Sequence, residues 1–278
     1  MTSQSTTAYE AEMATWQAKR LQDLKKTDGY LSLVGLCWLS LGENSFGSAT
    51  NHPCPFPAGM PANIGRYQVT DSGITVHIEP DVPVTHKGQP VSSMPILTDI
   101  DSGGPTVLEL GSVSWFVIKR GAALGIRIRD SKSDLLSKFN GVDSFPRDEA
   151  WRIKAAFKKY DEPRTVPIPT ILGTDAAMVS PGTLDITING ESREMIALKA
   201  ADADRLFLIV ADGLAGKETY GGGRFLITEP VDAQGNVVVD FNKATNPPCA
   251  FTPWATCPRP PDENRFAVEI PAGEKVFK

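Results

Sequence analysis

Seven prolines fall between Pro247 and Pro271, and they exclude both regular structures for the last stretch of the chain. Proline has no backbone N–H to donate and holds φ at about −65°, so a run this dense is neither a helix nor a central strand. The stretch that opens on Asp240, Phe241 and Asn242, passes through Asn246, Cys249, Trp254 and Cys257, and reaches Glu263, Asn264 and Arg265 is expected to run as an irregular, stiff strap. A stiff loop holds its side chains with little residual entropy. This one carries two thiols, aromatic rings, carboxyl groups and three asparagines, a mixture suited to the wall of a site.

A chain of 278 residues is long for one small core, which favours two units. We expect an N-terminal helix over residues 1–27, a first β unit over 28–146, and a second β-rich unit over 147–278 that ends in the strap. Lys and Arg number 28 against 33 Asp and Glu, a formal charge of −5, which argues against a nucleic-acid surface. The first twenty residues lack the apolar core of a signal peptide and no later segment is apolar enough to span a bilayer, so the expected setting is cytoplasmic, with no membrane partner. Cys37, Cys54, Cys249 and Cys257 are then expected as reduced thiols. None of them forms a Cys-x-x-Cys pair, and the spacing names neither a cofactor nor a metal.

The local patterns call for a mainly β protein. Thr7 to Glu10 reads as a capping box, and Tyr9, Met13, Trp16, Leu21 and Leu24 recur at helical spacing up to Lys26. From Tyr30 onward, short apolar runs are split by Gly, Pro, Asn and Asp. Tyr67, Val69, Ile74, Val76 and Ile78 flank a Ser72-Gly73 turn, and Trp115 to Ile118 pairs with Ile126 to Ile128 around Gly121. A short helix fits Ser133 to Phe139. Trp151, Ile153, Ala155 and Phe157 alternate as a half-buried strand does, and Leu184, Ile186 and Ile188 lead into Asn189-Gly190, a strong hairpin signal. Leu206 to Val210 and Val237 to Val239 fit buried strands.

Three segments invite a chemical reading. Asp101-Ser102-Gly103-Gly104-Pro105 looks like a protease nucleophile segment, but the histidines are only His52, His77 and His86 and none has the matching setting, so a polar turn is the better account. The stretch from Gly216 to Arg224 suggests a phosphate loop yet lacks the Gly-x-x-x-x-Gly-Lys-Ser/Thr order and runs into a strand. Its glycines suit close backbone approach, while Glu218, Tyr220 and Arg224 offer a carboxylate, a phenol and an anion-binding fork, or a Glu218–Arg224 ion pair. Cys249 and Cys257 are open to metal binding, a bridge, a nucleophilic role or simple burial.

Two resemblances follow from these residues. Residues 41–48, a proline-rich turn and Gly65-Arg66-Tyr67-Gln68-Val69 resemble the opening strands of forkhead-associated domains, which bind phosphothreonine. The chain lacks that family's Ser-x-x-His, so the resemblance implies the β-sandwich scaffold without the phosphopeptide site. Glu218-Thr219-Tyr220-Gly221, Gly223-Arg224-Phe225, Asp240-Phe241-Asn242, Asn246-Pro247-Pro248-Cys249-Ala250-Phe251-Thr252-Pro253 and Glu263-Asn264-Arg265 resemble the bacterial family known as domain of unknown function 1684. That resemblance extends from about Asp28 to the C-terminus and implies a shared fold and a shared polar site without a named substrate.

The reading is thus an N-terminal helix, a forkhead-associated-like β-sandwich and a second β-rich unit closed by a proline-rich segment, with a small-molecule pocket and hydrolysis as the reaction class. Glu218, Tyr220 and Cys249 are the candidate catalytic residues. Arg224, Asp240, Asn242, Asn246, Cys257, Asn264 and Arg265 are the candidate ligand-binding residues. The alternative is a non-catalytic binding or scaffolding module.

Overall fold

Alternating apolar and polar residues make strands wherever one face can be buried, and here they do so in two units, residues 1–140 and 141–278. The computed structural model describes residues 3–202 and 204–278, with side chains from residue 8 onward. The first helix, α1, spans Ser3–Leu24, so it begins ahead of the capping box. The Thr7 side chain lies outside the described residues. Of the stripe that the helical spacing predicts, Tyr9, Met13 and Leu24 are buried and Trp16 and Leu21 half-buried.

The N-terminal unit is a sandwich of two sheets. Its strands are β1 (Leu33–Leu39), β2 (Gly42–Gly47), β3 (Cys54–Pro55), β4 (Gly65–Thr70), β5 (Gly73–Ile78), β6 (Thr85–His86), β7 (Gln89–Pro90), β8 (Ser93–Pro95), β9 (Leu108–Leu110), β10 (Val113–Arg120) and β11 (Ala123–Asp130). One sheet runs β1-β11-β10-β9-β6-β7 and the other β3-β2-β4-β5-β8. Phe46, Tyr67 and Val76 of one sheet and Trp115, Val117, Ile126 and Ile128 of the other share one buried core. The indole N–H of Trp115 donates to the Tyr67 hydroxyl at 3.0 Å, which satisfies both polar tips inside an apolar layer. Both hairpins expected in this region form, Thr70 facing Gly73 and Arg120 facing Ala123.

One expectation for this unit is corrected. Cys37 on β1 and Cys54 on β3 are joined as a disulfide, with Cα atoms 5.3 Å apart, rather than standing as two reduced thiols. The compartment argument considers chemistry alone; the fold brings the two strands together from different sheets. Closing a loop of this length stabilises by about 3 kcal/mol.

The short helix α2 (Asp134–Lys138) follows, capped by the Ser133 hydroxyl, which accepts from Leu136 N–H. The Asp101 segment is a turn: its carboxylate accepts from Thr98 N–H and hydroxyl at 2.6 and 2.8 Å, as an Asx turn does.

The C-terminal unit is one antiparallel sheet of β12 (Arg152–Pro169), β13 (Asp175–Ile188), β14 (Glu191–Lys199), β15 (Leu206–Val210), β16 (Arg224–Ile227) and β17 (Asn236–Asp240), ordered β16-β15-β14-β13-β12-β17. Ile188 faces Glu191 across Asn189 and Gly190, whose φ values of 48° and 86° meet the demand of a two-residue turn. Pro163 sits where the β12 register shifts between Lys159 and Arg164, the bulge that lets a strand tolerate proline. Leu184, Ile186, Met195, Leu208, Leu226, Val239 and Phe241 form the core. The strap crosses this sheet through 3-10 turns at Phe241–Lys243, Pro248–Ala250 and Asp262–Asn264.

Candidate functional site

The centre of the polar network is a buried ion pair. Strand β15 is apolar to its end, and Asp212 follows it after Ala211. Its carboxylate accepts from Leu214 N–H at 2.9 Å and from the Thr219 hydroxyl at 3.1 Å, and this folds residues 212–219 into a tight loop. Its other oxygen meets Arg224 at 2.5 Å, with both side chains 2% exposed. Arg224 also donates to the carbonyls of Ile270, Ala272 and Glu274. A planar fork with five donors is the side chain able to hold a carboxylate and three carbonyls together. Burial pushes the guanidinium below its ordinary pKa, and Asp212 opposes that.

The strap is held by side chains that imitate backbone. Asn264 accepts from Ile196 N–H at 2.8 Å and donates to Ile196 C=O at 3.0 Å, pairing with β14 as a neighbouring strand would. Asn242 makes the same two-way bond with Asp148, at 3.1 and 2.9 Å. Asp240 accepts from Asn242 N–H and side-chain amide and faces Arg152 at 3.6 Å. Asn246 donates its backbone N–H to the Glu274 carboxylate at 2.6 Å and its amide to Lys275 C=O at 2.6 Å. Such bonds replace backbone partners that prolines cannot supply.

The glycine bend meets the strap in direct contact. Gly223 has φ 89°, and a Cβ there would stand 2.3 Å from the Pro260 ring. Residue 225 bridges to 245. The Tyr220 hydroxyl donates to Cys249 C=O at 3.1 Å. Glu218 and Arg224 are not paired with each other: Glu218, on the surface, faces Lys275 at 3.2 Å. Arg265 is partly exposed, 3.5 Å from Asp262, and donates to Pro260 C=O.

Cys249 and Cys257 lie side by side, neither of them in a disulfide. Cys249 N–H donates to Cys257 Sγ at 3.2 Å. Cys257 is buried; Cys249 is only partly so. The hydrogen bond from Cys257 lowers the Cys249 pKa to about 7, burial opposing it and Tyr220 and Arg259 adding to it. Burial, with Cys249 beside it, raises the Tyr220 pKa above the usual phenol range, so this hydroxyl stays a donor. No histidine lies beyond His86, and among the described residues no group of three or more His, Cys, Asp or Glu is arranged to hold a metal ion.

The structure therefore brings Tyr220, Cys249 and Cys257 together, and places Arg224, Asp240, Asn242, Asn246 and Asn264 in the framework behind them. Two surface hollows, one along residues 78–84 and 90–92 and one at 185–187 and 192–194, carry none of these residues. Sequence reasoning missed Asp212 and Glu274. A charged residue directly after the unbroken apolar run Leu206–Ala211 is the signal that would have found Asp212, because a charge at the end of a buried strand needs a partner.

The model of a family described as "Protein of unknown function (DUF1684)" matches residues 137–275, the whole span in which this network lies. The chain belongs to the DUF1684 family. The DUF1684 match covers nearly all of the C-terminal unit and the four residues before it, so it does not reach back to about Asp28, where the resemblance begins. Among solved structures, the chain is similar to an uncharacterized protein of Haloarcula marismortui determined by NMR in solution: 29% identity over 50% of this chain and 78% of that one, TM-score 0.42. It is also similar to a structure from a study of phosphothreonine-dependent FHA domain interactions, at 17% identity over 34% of this chain and 92% of that one, TM-score 0.24. At these scores neither structure carries an argument about this DUF1684 protein. No curated protein matches the chain.

Proposed function

We propose that the C-terminal unit takes a small electrophilic molecule at the Cys249 thiol and hydrolyses it by acyl transfer. The observation that carries this reading is Cys249, a partly exposed residue whose thiol is set beside Cys257, Tyr220 and Arg259 and ionised near neutral pH. The thiolate would attack an acyl carbon, forming a C–S bond as the bond to the leaving group breaks. Solvent would protonate the leaving group, with the Tyr220 hydroxyl as a hydrogen-bond donor beside it, and water would then release the acid and restore the thiol. Glu218, on the surface beside Lys275, is the carboxylate in the same loop that could take the proton of that water. Arg259 and Arg265 are the cations that would meet an anionic ligand. The partner is thus a small molecule, and the net negative charge speaks against nucleic acid.

The test is steady-state turnover of p-nitrophenyl acyl esters. Cys249→Ser is expected to fall to the background rate, with Glu218→Gln slowing release of the acyl group. Wild-type protein that turns nothing over, or Cys249→Ser with unchanged turnover, refutes the reading. The second reading is a scaffolding module, and one observation favours it: the strap's asparagines are hydrogen-bonded to the protein's own backbone.

Among the described residues no helix is long and apolar enough to cross a membrane. We place the protein in the cytoplasm, where Cys249 stays reduced. The Cys37–Cys54 bond pulls the other way, since disulfides persist mainly in oxidising compartments. Trapping thiols in living cells before fractionation decides between the two.

A further inference from the structure

We propose that Cys249 and Cys257 are a redox-active dithiol that exchanges with low-molecular-weight disulfides and closes into an intramolecular disulfide. The proposal shares the Cys249 sulfur with the hydrolytic reading and does not depend on hydrolysis.

The geometry is that of an attacking and a resolving thiol. Cys257 Sγ is 3.2 Å from Cys249 N, and an N–Cα bond is about 1.46 Å, so Cys257 Sγ lies within about 4.7 Å of Cys249 Cα. The side chains are also within hydrogen-bonding reach of each other. Their environments differ in the way the two roles require. Cys249 is partly exposed and can meet a disulfide from solution, while Cys257 is buried at 4% and meets only what Cys249 brings. Cys249 stands in the 3-10 turn Pro248–Ala250, and Cys257 follows at the far end of the same proline-rich loop. The Cys257 end is anchored: Ile171 N–H donates to Cys257 C=O at 3.0 Å, and Arg259 N–H donates to Pro169 C=O. A stiff loop tied at one end has little freedom to carry the two sulfurs apart.

The exchange balances without any further oxidant. Cys249 thiolate attacks one sulfur of a disulfide RSSR, forming Cys249–S–S–R and expelling RS⁻. That RS⁻ takes the Cys257 proton, and Cys257 sulfur then attacks Cys249 sulfur, forming the Cys249–Cys257 bond and expelling the second RS⁻. Two protein thiols are oxidised and one RSSR is reduced to two thiols. Closure removes the nucleophile, so it would also switch off thiol-dependent turnover.

The test equilibrates the full chain with oxidised and reduced glutathione, quenches with acid, alkylates free thiols and maps the peptides by mass. Wild type is expected to lose two hydrogens in the peptide or peptide pair holding residues 249 and 257, and to regain them in excess reduced glutathione. Cys257→Ser is expected to stop at the glutathione adduct on Cys249, and Cys249→Ser is expected to remain unmodified at Cys257. A stable glutathione adduct on Cys249 in wild type, or no reaction at either residue, overturns the proposal. So does a 249–257 disulfide that does not reopen. Mapping separates this pair from Cys37–Cys54. A protein that closes reversibly without hydrolysing esters sinks only the hydrolytic reading; one that hydrolyses esters without closing sinks only this one.

Discussion

Replacing Arg224 tests the framework directly. Arg224→Met keeps much of the volume and apolar stem of the side chain but leaves the Asp212 carboxylate, 2% exposed, without its cation. Removing one partner of a buried pair costs about 3–5 kcal/mol. The variant also strips the donor from the carbonyls of Ala272 and Glu274, while Ile270 C=O keeps its bond from Ala272 N–H at 2.8 Å, and each buried carbonyl left unpaired adds about 1–3 kcal/mol unless water reaches it. A domain is stabilised by only roughly 5–15 kcal/mol in all. The C-terminal unit of Arg224→Met is therefore expected to lose at least about a third of its stability. Arg224→Lys separates the two contributions: an ammonium can still reach Asp212 but cannot serve the carboxylate and three carbonyls at once, so about 1–3 kcal/mol is expected. Hydrogen exchange of peptides from residues 206–275, followed in urea, reports this unit without interference from the sandwich. The expected pattern is early loss of protection at Ala244 and Glu274, whose amides are tied to Phe241 C=O and Ala244 C=O. Arg224→Met within about 1 kcal/mol of wild type would refute the claim that this pair anchors the strap.

Three further outcomes follow from the same geometry. Asn264→Ala removes the side chain bonded to both Ile196 N–H and C=O and is expected to cost about 2 kcal/mol in urea unfolding, whereas a loss within about 0.5 kcal/mol would mean water replaces it fully. Gly223→Ala must place a Cβ against Pro260 at φ 89° and is expected to cost about 2 kcal/mol or more; Gly221→Ala, whose Cβ meets nothing closer than 3.4 Å, is the near-neutral control in the same melt. The rate of Cys249 alkylation by iodoacetamide is expected to rise with pH through a midpoint of about 7, because the thiolate is the reactive form and its neighbours lower the pKa. Cys257→Ala removes the largest lowering cause and moves the midpoint up, while a wild-type midpoint at the ordinary thiol value of about 8.5 refutes the environment described here.

The local elements were legible in the sequence because their causes are local. Period-two apolar patterns placed β4, β5, β10 and β11, the Asn189-Gly190 turn set the β13–β14 register, and proline density announced the strap. The roles of the polar residues were not legible. Arg224 reads equally well as an anion-binding fork or as an internal tie, since its type shows only what it can bond; Asp212 and the carbonyls near the C-terminus decide which. Asn264 and Asn242 likewise read as ligand groups until their amides are seen against the backbones of Ile196 and Asp148.

What the sequence determined by itself is therefore the class of structure: strands, turns and an irregular closing segment, each dictated by side-chain period or by proline's missing donor. Only the tertiary structure decided which groups meet. It joined Cys37 to Cys54, laid Gly223 against Pro260 and set Cys249 beside Cys257. These meetings depend on how the sheets close and on where the strap is tied, and hydrogen bonds and ion pairs act over a few ångströms of space whatever the distance along the chain.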